Sequence, residues 1–195
     1  SSILLGSGLS PASASATVNI AKVFAGIAGG ISHWRAGNVD RRLVWRMAVP
    51  GVIGAAVGTT ILANVDGEQL RPILAALLFV IGLRILLRFR KAVVRRADAS
   101  DGESAGTGVP GVEVAGAVGG VTNGLIGAWG PVVTPYLLHH GVAPRFVVGS
   151  VNTAEIAVAT VAAGSLLTTS HHGLELTMLA AMLIGAGFGM LFGVI

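Results

Sequence analysis

The stretch GLSPASASATVNIAK, Gly8 to Lys22, returns later in the chain as GVAPRFVVGSVNTAE, Gly141 to Glu155. Both copies sit inside almost uninterrupted apolar sequence, so the chain reads as a duplicated membrane-embedded unit. Polar residues that occupy matching positions in the two copies then become the first candidates for function. Those are Thr17 with Ser150, Asn19 with Asn152, and the oppositely charged Lys22 with Glu155.

The balance of residue types excludes a soluble domain. Of 195 residues, 53% are hydrophobic and only 11% are charged, while 29 are glycine. That leaves too little polar surface to clothe a water-soluble body of this size. Apolar runs of about 20 residues, the helical length that crosses a hydrocarbon core of roughly 30 Å, recur along the chain. A net charge of +4 does not imply a nucleic-acid partner here, because the basic residues cluster in loops and form no recognition stripe. With no cysteine there is neither a disulfide framework nor a thiolate metal site.

Hydropathy and punctuation predict an all-α, polytopic membrane protein. One helix is expected from about Pro11 to Ile31, a second from Leu43 to Ala63 and a third from Leu70 to Phe89. A fourth segment, Val112 to His139, is broken at GAWGP, Gly127 to Pro131; a fifth runs from Pro144 to Thr168 and a sixth from Leu174 to Ile195. The expected organisation is two parallel four-helix repeats, each with a broken first helix, the whole truncated at both ends. Residues 1–89 form the first repeat, lacking most of its first helix. Residues 90–109 are a linker, and residues 110–195 form the second repeat, lacking its last helix.

Basic residues orient this array. Arg35, Arg41, Arg42 and Arg46 lie between the first two spans, and Arg84, Arg88, Arg90, Lys91, Arg95 and Arg96 flank the linker. Cytoplasmic loops are enriched in lysine and arginine, so both loops, and linker 90–109, are expected in the cytoplasm.

Charge inside the apolar runs is the strongest functional signal. Eleven residues after Pro11 rise about 16 Å along a helix, which puts Lys22, and by the repeat Glu155, near mid-membrane. A charge there costs at least about 2.5 kcal/mol, so neither residue is expected to face lipid. On the first helix Ser15, Asn19, Lys22, Gly26, Gly29 and His33 recur at helical spacing as one small, polar stripe. The functional reading makes Asn19 and Asn152 substrate-binding amides on two symmetric sides, with Thr17 and Ser150 beside them and Lys22 and Glu155 as coupling or gating residues. The alternative is a Lys22–Glu155 ion pair that only locks the two repeats together.

The second candidate is the break itself. Gly127, Gly130 and Pro131 interrupt the helix, and the half-helix restarting there presents unpaired N–H groups and a positive dipole end suited to an anion. Such a break at membrane depth is tolerated where it lines a cavity or is buried in protein. Asn123, Thr134 and the preceding Thr122 are expected to add hydrogen bonds, and Trp129 to wall or gate the pocket. A packing kink is the alternative.

Other features read as scaffold. Gly54 and Gly58, Gly116, Gly120 and Gly124, and Gly185, Gly189 and Gly193 are spaced for close helix–helix approach. Asp40 is the expected N-cap of the second helix. The histidines fall near span ends without a converging carboxylate, so no metal site is assigned. No serine, histidine and aspartate share a spacing that suggests a nucleophile with its base, so no enzyme is expected.

The pieces GISHWRAGNVDRRLV, Gly30 to Val44, and GAWGPVVTPYLLHHGVAPRFVVGSVNTAE, Gly127 to Glu155, resemble the TauE/SafE sulfite-exporter-like membrane transporters, and the resemblance covers the chain except its linker. It implies a plasma-membrane secondary transporter, an exporter of a small anion such as sulfite or an organosulfonate, bound at the repeat interface near the membrane midplane. Lys22 departs from the acidic residue that the resemblance leads one to expect in its slot. The partners implied are the small anion and the lipid bilayer, with a proton as candidate coupling ion and a homo-oligomer as candidate assembly; no nucleic acid and no cofactor are called for. The competing class is a membrane structural or assembly subunit without transport activity.

Overall fold

The computed structural model describes residues 11–95, 108–169 and 184, and every regular element among them is helical. In chain order these are α1 (Pro11–Arg35), α2 (Arg41–Asn64), α3 (Gly67–Arg95), α4 (Val112–Ile126), α5 (Gly130–His139) and α6 (Pro144–Thr169). The expected sixth apolar segment, 174–195, lies outside the described residues apart from position 184.

Local chemistry sets the ends. Pro11 and Pro144, matching positions of the repeated pattern, each open a helix, where a missing N–H costs nothing. Asp40 caps α2, its Oδ1 accepting from the backbone N–H of Arg42 at 2.9 Å and of Leu43 at 3.1 Å. The long apolar segment does break where expected. Gly127 closes α4 in the left-handed conformation, φ +69°, with its N–H on the Asn123 carbonyl at 2.8 Å. A side chain at Gly127 would be strained by that backbone and would also strike Val18 of α1. The third helix is longer than its apolar run, continuing from Phe89 to Arg95 because Arg90 to Arg95 contains no glycine or proline to stop it.

Packing is tightest where glycines meet backbone. A Cβ placed at Gly120 of α4 would fall on the carbonyl of Gly51 in α2, and one at Gly54 would fall on the carbonyl of Ala117. The two helices therefore touch main chain to main chain, the geometry that small residues permit in membranes. α6 packs on both α1 and α2, and Ile156 of α6 fits the notch left by Gly26 and Gly30 of α1. Apolar side chains gather in two clusters, one around Leu43, Met47, Trp129, Val133 and Val158, the other around Leu62, Leu70, Leu74, Ile126 and Leu166.

The outward surfaces are those of a body in lipid. α1, α2 and α6 are each long and apolar enough to cross a membrane. Phe24 and Ile31 on α1, Ile53 and Val57 on α2, and Phe79 on α3 are exposed rather than packed, an apolar exterior that water would not tolerate on this scale. The chain is an all-helical, polytopic membrane protein.

Candidate functional site

Lys22 and Glu155 each fall next to the midpoint of their helix, α1 and α6, and meet there. Lys22 Nζ lies 2.5 Å from Glu155 Oε1, with the two side chains 25% and 18% exposed. The same ammonium donates to the Gly127 carbonyl at 2.6 Å and to Asn123 Oδ1 at 3.2 Å. Its three N–H donors thus have three oxygen acceptors, from α6, from the helix break and from α4.

The break supplies the reason for this placement. A helix ends with carbonyls that have no intrahelical partner, and its C-terminus carries partial negative charge. Where α4 stops, inside the protein, those groups need donors, and Lys22 reaches them from α1. Lys22 therefore neutralises two things at once, the Glu155 carboxylate and the end of a half-helix.

A chain of amides continues inward from Lys22. Asn123 Nδ2 donates to Asn19 Oδ1 at 2.7 Å, and Asn19 Nδ2 donates to the Ser15 carbonyl at 2.9 Å. Ser15 Oγ in turn donates to the Gly124 carbonyl at 2.9 Å. Ser15, Asn19 and Asn123 are all fully or almost fully buried. Ser15 is the member that the site residues read from sequence left out. Its i to i+4 relation to Asn19 was the available signal, and its partner Gly124 lay hidden in a glycine-spacing pattern.

Not every candidate joins this cluster. Thr17 is buried and donates to Ser13 of its own helix at 2.8 Å. Ser150 is buried and accepts from the backbone N–H of Asp40 at 2.9 Å, which ties the α1–α2 loop to α6. Trp129 is wholly buried, its indole N–H on the Val151 carbonyl at 3.2 Å and its ring against Gly51 and Gly119. Thr122 bridges the break, its hydroxyl on the Ala128 carbonyl at 3.0 Å. Thr134 is half-buried on α5. Gly130 opens α5, and a Cβ there would meet nothing within 4 Å.

Asn152 differs from its repeat counterpart. Asn19 is fully engaged, whereas the half-buried amide of Asn152 makes no hydrogen bond to any described residue. It lies one turn before Glu155 on α6, so the two side chains emerge on adjoining parts of one helix face. An apolar groove of about 340 Å³ also lies between α1 and α6, lined by Ile27, Ile31, Trp34, Thr153 and Ile156. It is set toward the C-terminal end of α1 and does not include the charged pair.

A polytopic helical membrane protein of the TauE/SafE family is what the sequence led us to expect, and the comparisons bear out that family. The chain belongs to the family described as sulfite exporter TauE/SafE, which it matches over residues 1–195. It is also 37% identical over 172 residues to the probable membrane transporter protein YtnM of Bacillus subtilis (strain 168), an alignment covering 85% of this chain and 55% of that protein. The chain thus spans about half the length of the curated relative it matches. No solved structure matches it.

Proposed function

We propose that the protein carrying this chain is a secondary transporter that exports a small anion, such as sulfite or an organosulfonate, across the plasma membrane. The observation that carries the reading is Lys22: a cation at mid-helix, held between α1, the α4 break and α6, and still 25% exposed. Intramembrane ionisable groups in such places mark substrate or ion pathways more often than packing. In this reading the anion's donors are the amide of Asn152, which has no partner among the described residues, and the Gly130 N–H that opens α5. Pro131 has no N–H, and Val132 and Val133 donate to the Trp129 carbonyl. The family and the transporter-like relative support the same class. In this reading the anion binds between the two repeats, with residues 90–109 in the cytoplasm.

The competing reading, a structural subunit, draws on the completeness of the cluster, since every N–H of Lys22 already has an acceptor. Radiolabelled counterflow in proteoliposomes separates the two. Saturable exchange of a sulfonate or sulfite that is lost in Lys22→Gln supports transport; exchange no faster than in empty vesicles, across the panel, supports the structural subunit. Sidedness has its own test. A cysteine replacing the exposed Gly108 is expected to react with an impermeant maleimide only in opened cells, and one replacing Asp66 in intact cells; the reverse pattern overturns the orientation.

A further inference from the structure

Of the three oxygens around Lys22, the Gly127 carbonyl and the Asn123 amide are neutral and fixed in charge. Only the Glu155 carboxylate is charged, and only it can lose that charge by binding a proton. Among the described residues no second titratable group shares this duty. On α1, His33 and Arg35 lie about three turns away. On α2, Asp40 at the cap and Arg41, Arg42 and Arg46 stand at the start of the helix, and on α4 Glu113 is paired with Arg46 at 2.7 Å. α5 contributes His139 at its far end with His140 beyond it, α6 contributes Arg145 in its first turn, and α3 presents Glu68, Arg71 and Arg84, all exposed.

An anion arriving at Lys22 therefore meets a place already filled by a carboxylate. If both stayed, the pocket would hold two negative charges against one positive, inside a low-dielectric body where like charges repel strongly. We propose that Glu155 is a resident stand-in for the transported anion, and that the anion takes its place on Lys22 only as Glu155 binds one proton. This inference rests on the reading of Lys22 as the anion's partner. The exchange balances: one proton from water bonds to a Glu155 oxygen, the Lys22–Glu155 ion pair opens, and a Lys22–anion pair forms beside a neutral carboxyl group. The charge of the pocket is the same before and after. Asn152, one turn from Glu155 and without a partner among the described residues, supplies a further N–H to the incoming anion. Release on either side reverses the steps, so one proton travels with each monovalent anion and the movement is electroneutral.

The probe is isethionate, a strong-acid sulfonate that keeps a single negative charge at every working pH. Titration calorimetry of the purified protein, run in two buffers of different ionisation enthalpy, counts the protons taken up on binding. The wild type is expected to take up one proton per anion, its affinity falling about ten-fold for each pH unit of rise where Glu155 is ionised in the free carrier. Glu155→Gln keeps a side chain that can accept from Lys22, and is expected to bind isethionate with no proton uptake and no such pH dependence. A second readout needs only the wild type: isethionate uptake into vesicles is unchanged by a potassium-diffusion potential. Binding without proton uptake, uptake retained in Glu155→Gln, or flux driven by the potential overturns the inference and leaves the anion site standing. Absence of isethionate binding in both proteins overturns the anion site itself, and the inference with it.

Discussion

Asn123 gives a side-chain N–H to Oδ1 of Asn19 at 2.7 Å, joining α4 to α1 through two amides that no solvent reaches. Asn123 also accepts from Lys22, so a single residue links the buried amides to the charged pair. Replacing it by leucine orphans a buried acceptor on Asn19 and removes one of the three oxygens around Lys22. The expected loss is roughly 1 to 3 kcal/mol of stability, the cost of a buried polar group left unpaired. Thermal unfolding in detergent checks this, and an unchanged midpoint would mean that the amide pair is incidental.

The charged pair yields to a double-mutant cycle. Breaking a fully buried ion pair by removing one partner costs about 3 to 5 kcal/mol. Lys22 and Glu155 keep 25% and 18% of their side-chain surface exposed, which lowers that figure toward about 1 to 3 kcal/mol. Lys22→Met and Glu155→Leu are each expected to destabilise by that amount, and the double variant by less than their sum. Strict additivity in the cycle would show that the two groups do not stabilise one another.

Gly120 and Gly29 test the packing argument against each other. A methyl group at Gly120 has to displace the α2 backbone at Gly51, so Gly120→Ala is expected to cost about 1 to 3 kcal/mol or more, as overpacking does. At Gly29 a Cβ meets nothing within 4 Å, and alanine suits a helix interior better than glycine does. Gly29→Ala should therefore leave the protein as stable as before or slightly more so. Equal behaviour of the two variants would remove the close α2–α4 approach as a determinant of the fold.

These contrasts show what could be read from sequence and what could not. The break at Gly127 to Pro131 was legible because glycine and proline act locally, through backbone freedom and a missing N–H. The approach of Lys22 to Glu155 was legible because two opposite charges at equal depth in lipid have few other ways to be satisfied. The partner of Asn19 was not. An amide in an apolar helix can face any neighbour, and the repeat cast Asn19 as a substrate-binding amide opposite Asn152, whereas the crossing of α1 over the end of α4 delivers Asn123 as its partner. For the same reason the spacing of Gly54 and Gly120 announced close packing without saying which helices would meet. Trp129 beside a break looks the same in sequence whether it lines a pocket or, as here, fills the core.

Asn152 offers the sharpest separation of binding from folding. Its amide has no partner among the described residues, so Asn152→Leu removes no hydrogen bond among them, and leucine is well accepted in a membrane helix. A hydrogen bond to a charged ligand contributes on the order of 1.5 to 3 kcal/mol, which corresponds to a loss of affinity of roughly ten-fold or more. Asn152→Leu is accordingly expected to unfold at the wild-type temperature while binding a sulfonate at least about ten-fold more weakly. Asn19→Leu, which breaks the buried amide chain, is expected to lose stability instead. Gly130→Val belongs with Asn152→Leu: a Cβ at Gly130 meets nothing within 4 Å apart from its chain neighbours, yet the added bulk covers backbone where the anion would approach. Calorimetric affinities measured beside unfolding temperatures for the three variants decide the matter, and wild-type affinity in folded Asn152→Leu and Gly130→Val would move the anion site away from the helix break.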